Sequence, residues 1–161
     1  MKLVVDNNIT IYLGKFHFKA ININDTNNIE KQVKKILNTL KKTYNLELNG
    51  YYETVLYLDE NYGLIIKMQK DDLDYLDYFV TALEINSKVK KTSFLYKVED
   101  ILNLNKNILK KFIIYKYKKN IYLSAKEKLT TAEMGIILEN SKVIFDEEIK
   151  KIKAKSQIIE M

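Results

Sequence analysis

The chain is 161 residues long and carries 27 basic side chains, every one a lysine, against 21 acids, for a net charge of +6 with one histidine and no cysteine, proline or tryptophan. Lacking cysteine, it has no disulfide framework, no thiolate nucleophile and no thiolate metal site. Lacking arginine, it has no planar fork to read guanine edges or to clamp carboxylates and phosphates in pairs.

With 47% hydrophobic and 30% charged residues, the composition is that of a globular chain able to bury a core, and the length suits a single compact domain over residues 1–161. The 16 Asn, 21 Ile and 12 Tyr that accompany the lysines are what an AT-rich coding sequence produces. The positive charge is therefore a weaker pointer to nucleic acid than it would otherwise be. Residues 1–50 have a net charge of +4, residues 51–100 of −4 and residues 101–161 of +6, so an acidic middle lies between two basic thirds. The opening apolar run breaks at Asp6, and no stretch approaches the roughly 18 apolar residues of a membrane span. The expectation is a cytoplasmic chain with no membrane partner.

Leu3 and Val5, then Ile9, Ile11 and Leu13, alternate around Asp6-Asn7-Asn8 and predict a hairpin closed off by Gly14. Ile29, Val33, Ile36, Leu37, Leu40 and Tyr44 recur at helical spacing with lysines on the other faces. Asn27 with Glu30 predicts a capping box, and Lys41 and Lys42 suit the negative end of the macrodipole. The segment from Leu46 to Leu58, the turn Asp59-Glu60-Asn61-Tyr62-Gly63 and the period-two run Leu64, Ile66, Met68 predict a second hairpin. Leu83, Ile85 and Val89 alternate, Phe94 to Val98 reads as a short strand, and Ile101 to Leu109 as a helical turn or two. Phe112–Lys118 and Ile121–Ala125 predict a third hairpin around Lys119-Asn120. Thr130 with Glu133 has capping-box spacing, and acids at 146–148 followed by Lys150, Lys151, Lys153 and Lys155 predict a terminal helix over about 146–156 with a frayed tail. Strands in adjacent pairs give an α+β fold, an antiparallel sheet built from hairpins with two to four flanking helices. A hairpin followed by an amphipathic helix occurs at 2–44 and again at 112–140, a topological echo without sequence identity.

No constellation selects a catalytic centre. His17 lies in Gly14-Lys15-Phe16-His17-Phe18-Lys19 with no second His or Cys to share a metal and no acid beside it to make a base. Asp71, Asp72, Asp74 and Asp77 do not have the spacing of a calcium loop, and the interleaved Leu73, Tyr75, Leu76, Tyr78 and Phe79 suggest a helical turn with wet carboxylates. The four glycines, at 14, 50, 63 and 135, cradle no phosphate. No cofactor, metal or small-molecule ligand is implied, and no motif is specific to a family.

The first functional expectation is a non-enzymatic interaction module that docks on a protein partner or on its own copy. Tyrosine is favoured at interfaces because its ring buries area while its hydroxyl finds a partner, so the candidate surface is Tyr51, Tyr52, Tyr57, Tyr62, Tyr75 and Tyr78. The alternative is binding of RNA or single-stranded nucleic acid through Lys110, Lys111, Tyr115, Lys116, Tyr117, Lys118 and Lys119, with lysines on phosphates and aromatics on bases. Strand alternation argues against full exposure there, since Ile113, Tyr115 and Tyr117 share one face and Ile114, Lys116 and Lys118 the other.

Overall fold

A computed structural model describes residues 2–5, 8–15, 26–71 and 83–160. The chain is α+β, and its strands are divided between two five-stranded sheets rather than gathered in one. The described residues within 1–58 and 63–90 form one compact unit, and those within 59–62 and 91–161 form a second.

The first unit opens with β1 (Lys2–Val5) and β2 (Ile9–Gly14), an antiparallel hairpin in which Lys2 faces Tyr12 and Val5 faces Ile9. The helix α1 (Thr26–Tyr44) follows, then β3 (Gly50–Asp59), β4 (Gly63–Lys70) and β5 (Leu83–Lys91), in the sheet order β1-β2-β4-β3-β5. Helical spacing puts Ile29, Val33, Leu37 and Leu40 on one face of α1. They are buried in a core shared with Ile11 and Leu13 of β2, Leu56 and Leu58 of β3 and Leu64, Ile66 and Met68 of β4. Each such side chain contributes about 1.5–3 kcal/mol by leaving water. α1 begins at Thr26, so Asn27 falls within its first turn.

The other end of α1 is closed by Asn45 in the left-handed region at φ 51°. Asn tolerates that conformation better than most side chains. The Leu46 N–H then reaches back to the Lys41 carbonyl at 3.1 Å, the long bond of a Schellman motif.

The second unit contains β6 (Leu95–Val98), a 3₁₀ turn (Ile101–Asn103), α2 (Lys106–Leu109), β7 (Phe112–Tyr117), β8 (Asn120–Ala125), α3 (Thr131–Glu139), β9 (Ser141–Ile144), α4 (Glu148–Lys155) and β10 (Gln157–Ile159). Its sheet order is β10-β7-β8-β6-β9. The predicted third hairpin is β7–β8, and Lys118 takes the positive φ, 55°, that its two-residue loop requires. The predicted capping box is present on α3: Thr130 Oγ1 accepts from the Glu133 N–H at 3.2 Å, and Glu133 Oε2 accepts from the Thr130 N–H at 2.9 Å. The terminal helix α4 falls within the expected 146–156, and beyond it residues 157–159 pair with β7 instead of fraying. Tyr96 and Phe112 meet edge to face at 6.4 Å in the core, beside Leu123, Ile137, Ile149 and Ile152, all buried.

The turn at residues 59–62 is built into this second core. The Asp59 carboxylate accepts three backbone N–H groups: Asn61 at 2.7 Å and Tyr62 at 2.8 Å on Oδ1, and Phe94 at 2.8 Å on Oδ2. The Asn61 amide donates to the Glu127 carbonyl at 3.2 Å and accepts from the Leu129 N–H at 2.8 Å. Tyr62 and Phe94 pack with ring centroids 5.5 Å apart. Burial, then the Asp59 charge, push the Tyr96 hydroxyl well above the ordinary phenol range.

The two units share more than the hairpin–helix echo. In the first, the hairpin β1–β2, the helix α1 and β3 leave a gap between β2 and β3 that β4 fills; in the second, β7–β8, α3 and β9 leave the same gap, filled by β6. The filling strand follows its neighbours in the first unit and precedes them in the second, so these four-strand cores are permutations of one another, while the fifth strands take opposite edges, β5 beside β3 and β10 beside β7.

Candidate nucleic-acid interface

The structure separates the tyrosines from the lysines. Tyr52, Tyr57 and Tyr62 are 4%, 5% and 8% exposed, so their rings serve packing and present no outer face, and Tyr51 is half-buried. Alternation does not reveal this because β3 buries residues of both faces, Tyr52, Leu56 and Leu58 on one and Tyr57 on the other. Tyr75 and Tyr78 lie outside the described residues, as do His17, Asp72, Asp74 and Asp77. Asp71 is exposed at the end of β4, its N–H donating to the Tyr51 carbonyl at 2.9 Å.

The basic candidates fall into two groups at opposite ends of β7. A six-residue strand spans about 20 Å, so Lys110 and Lys111 before it and Lys116, Lys118 and Lys119 at its far end do not form one patch. Lys111 is committed to carboxylates: its ammonium lies 2.7 Å from Glu133 and 3.6 Å from Glu127. The hydrogen bond that the Lys111 ammonium donates to Glu133 holds it above the usual lysine range, and the same bond, with that from the Thr130 N–H, holds the Glu133 carboxyl below the usual carboxylate range. This pair ties the start of β7 to the first turn of α3 and leaves Lys111 no free charge for a phosphate.

The far end of β7 is different. Lys116, Lys118 and Lys119 are exposed, and none is in an ion pair with a described residue. The Lys118 ammonium stands 5.3 Å from the centroid of the Tyr117 ring, a cation–π contact. Tyr115 and Tyr117 are half-buried, and Tyr115 faces the buried Tyr122 across the ladder. Sequence reasoning missed the partners of this group. In the antiparallel pairing of β10 with β7, Gln157 faces Lys116 and Ile158 faces Tyr115. The last turn of α4 therefore ends beside the β7–β8 turn and brings the exposed Lys153 and Lys155 to the same end of the sheet. Glu99, which follows β6 on that side, is taken by Lys142 at 3.4 Å.

Such an arrangement offers several mobile ammonium groups to a chain of phosphates, with a partly covered tyrosine at its centre. It contains no nucleophile–base pair. Among the described residues there is no group of three or more His, Asp or Glu placed to hold a metal ion, and no helix long and apolar enough to cross a membrane. Comparison with known proteins finds no matching protein family, no matching curated protein and no matching solved structure.

Proposed function

We propose that this chain is a binding module that grips single-stranded nucleic acid by its phosphates, at the end of the second sheet where the β7–β8 turn meets the last turn of α4. The observation that supports this reading is the β10–β7 register, which adds Lys153 and Lys155 to Lys116, Lys118 and Lys119. Point charges without arginine favour contact with the backbone over readout of base edges, so binding should be indifferent to sequence. Titrating fluorescent oligo(U) and oligo(dT) across a salt series tests it. Affinity should fall with a log–log slope of about −0.7 for each phosphate neutralised. The double substitution Lys118→Ala with Lys119→Ala should flatten the slope by roughly one unit or more. A slope unchanged by the double substitution, or no binding at low ionic strength, rejects this reading.

A second reading, docking on a protein or on another copy, rests on different residues from the tyrosines. Leu102 is 92% exposed, with Ile101 beside it and Leu138 near the end of α3. The loop that displays it is fixed: the Asp100 carboxylate accepts from the Leu102 N–H at 3.1 Å and from the Asn103 amide at 2.9 Å, and Asn103 also reaches Asn140 at 3.2 Å. An apolar side chain held out rigidly suits a contact that excludes water. Self-association through it would appear in sedimentation as a mass that rises with concentration and returns to the monomer in Leu102→Asp. A mass independent of concentration in the unsubstituted chain disposes of the self-docking form.

A further inference from the structure

At the start of β7, away from the lysine cluster, a cavity of about 340 Å³ opens between α2, β7 and β10. We propose that it is a binding site for a small amphipathic anion, a carboxylate on an aliphatic or aromatic body. Its volume is at the low end of the roughly 300–1,000 Å³ of small-molecule sites. Phe112 and Ile114, both buried, supply apolar lining, and Ile158 and Ile159 of β10 form a wall. Those two isoleucines are 63% and 37% exposed. Edge strands ordinarily protect themselves with charge, so an edge that shows water two isoleucines beside a hollow has apolar surface to cover.

The rim selects the sign of the ligand. Lys110 and Lys126 both line the opening, both are exposed, and neither is in an ion pair with a described residue. Their backbones are anchored: the Lys110 N–H donates to the Lys106 carbonyl at 3.0 Å and the Lys126 N–H to the Lys111 carbonyl at 2.9 Å. Their ammonium groups thus rise from fixed points over an apolar floor, each free to swing on its stem. Glu160 is the one acid in the lining. Two ammonium groups against one carboxylate leave a positive rim, which attracts an anionic head and repels a cationic one while the apolar body enters the hollow.

Decanoate, decanol and decylammonium, each below its aggregation threshold, separate head from tail in a calorimetric or NMR titration of the whole chain. Decanoate should bind at one site per chain and perturb amides at the start of β7 and in β10. Decylammonium should bind about tenfold more weakly or worse, with decanol between them. Reversing both rim charges, Lys110→Glu with Lys126→Glu, should weaken decanoate by about tenfold. Because both side chains are exposed, the melting temperature should stay close to that of the unsubstituted chain. Ile158→Asp should abolish decanoate binding, but it also alters the pairing of β10 with β7, so the charge reversal carries the test. Equal binding of the three probes, more than one decanoate per chain, or decanoate affinity unmoved by the double reversal overturns the proposal. Oligonucleotide binding, which uses the other end of β7, is measured separately on the same variant and should stay within about twofold.

Discussion

Asp59→Ala should lower the stability of the second unit by about 3–5 kcal/mol, because it strips the acceptor from three backbone N–H groups at once. Two of them belong to the turn that Asp59 itself begins, and the third, that of Phe94, is 35 residues further along the chain. The residue is only 9% exposed, so water does not readily replace its carboxylate. An unpartnered N–H left there costs about 1–3 kcal/mol, and a bond to a charged acceptor is worth about 1.5–3, with the three not fully additive. Asp59→Asn keeps one oxygen. It can hold either the two turn N–H groups or that of Phe94, and its NH₂ opposes a donor at the remaining position. Its loss should therefore lie between those of wild type and alanine. The chain has no tryptophan, so urea unfolding is best followed by tyrosine fluorescence together with circular dichroism. Asp59→Ala unfolding at the wild-type midpoint, or Asp59→Asn proving as damaging as alanine, would show that the carboxylate does not organise this turn.

Gly63→Ala should be of similar size, again about 3–5 kcal/mol, for a steric reason in the first unit. Gly63 has φ +121°, and a Cβ added there would meet the Leu13 carbonyl oxygen at 2.6 Å, the Lys15 nitrogen at 2.7 Å and the Gly14 carbonyl carbon at 2.9 Å. All three are main-chain atoms of or next to β2, opposite Gly63 in the ladder, so no side chain can rotate away. The backbone conformation alone costs about 1–3 kcal/mol for a residue with a Cβ, and the displaced strand adds a comparable amount. Gly135 is the internal control. It lies within α3 with nothing within 4 Å of an added Cβ, so Gly135→Ala should stabilise by about 0.5–1 kcal/mol. Thermal melts of the two variants should move in opposite directions. A Gly63→Ala protein that melts with wild type would mean that β2 yields at little cost.

What the sequence made legible was whatever is encoded over short distances. The three hairpins, the amphipathic face of α1 and the Thr130–Glu133 box each need only neighbours within a few residues. The separation into two sheets was hidden because β6 pairs with β8 and β9, which lie well beyond it in the chain. The strands β9 and β10 have four and three residues, too few for a period to register. Asp59 read as an ordinary turn residue because its third partner is distant in sequence. Tyr57 read as surface because period two assigns one face to water, and β3 and β4 bury residues of both faces, among them Tyr57 and Ile65. In the basic site, Lys116, Lys118 and Lys119 could be read from the strand itself. Lys153 and Lys155 could not, since only the register of β10 brings them there.

The layout of the two halves also fixes which strand pairings close locally. In the first unit β1–β2 and β3–β4 join consecutive strands, whereas β2 meets β4 across a long stretch of chain, as in Ile9 with Met68. In the second, β6 is synthesised alone and gains a strand partner only when β8 arrives; its other edge waits for β9, as in the distant pair Leu95 and Ile144. The carboxyl-terminal sheet has one pairing of consecutive strands, β7–β8, against two in the amino-terminal sheet, so both halves must close long loops and the second closes one more of them. The bond from the Phe94 N–H to the Asp59 carboxylate closes a further loop of this kind, just ahead of β6.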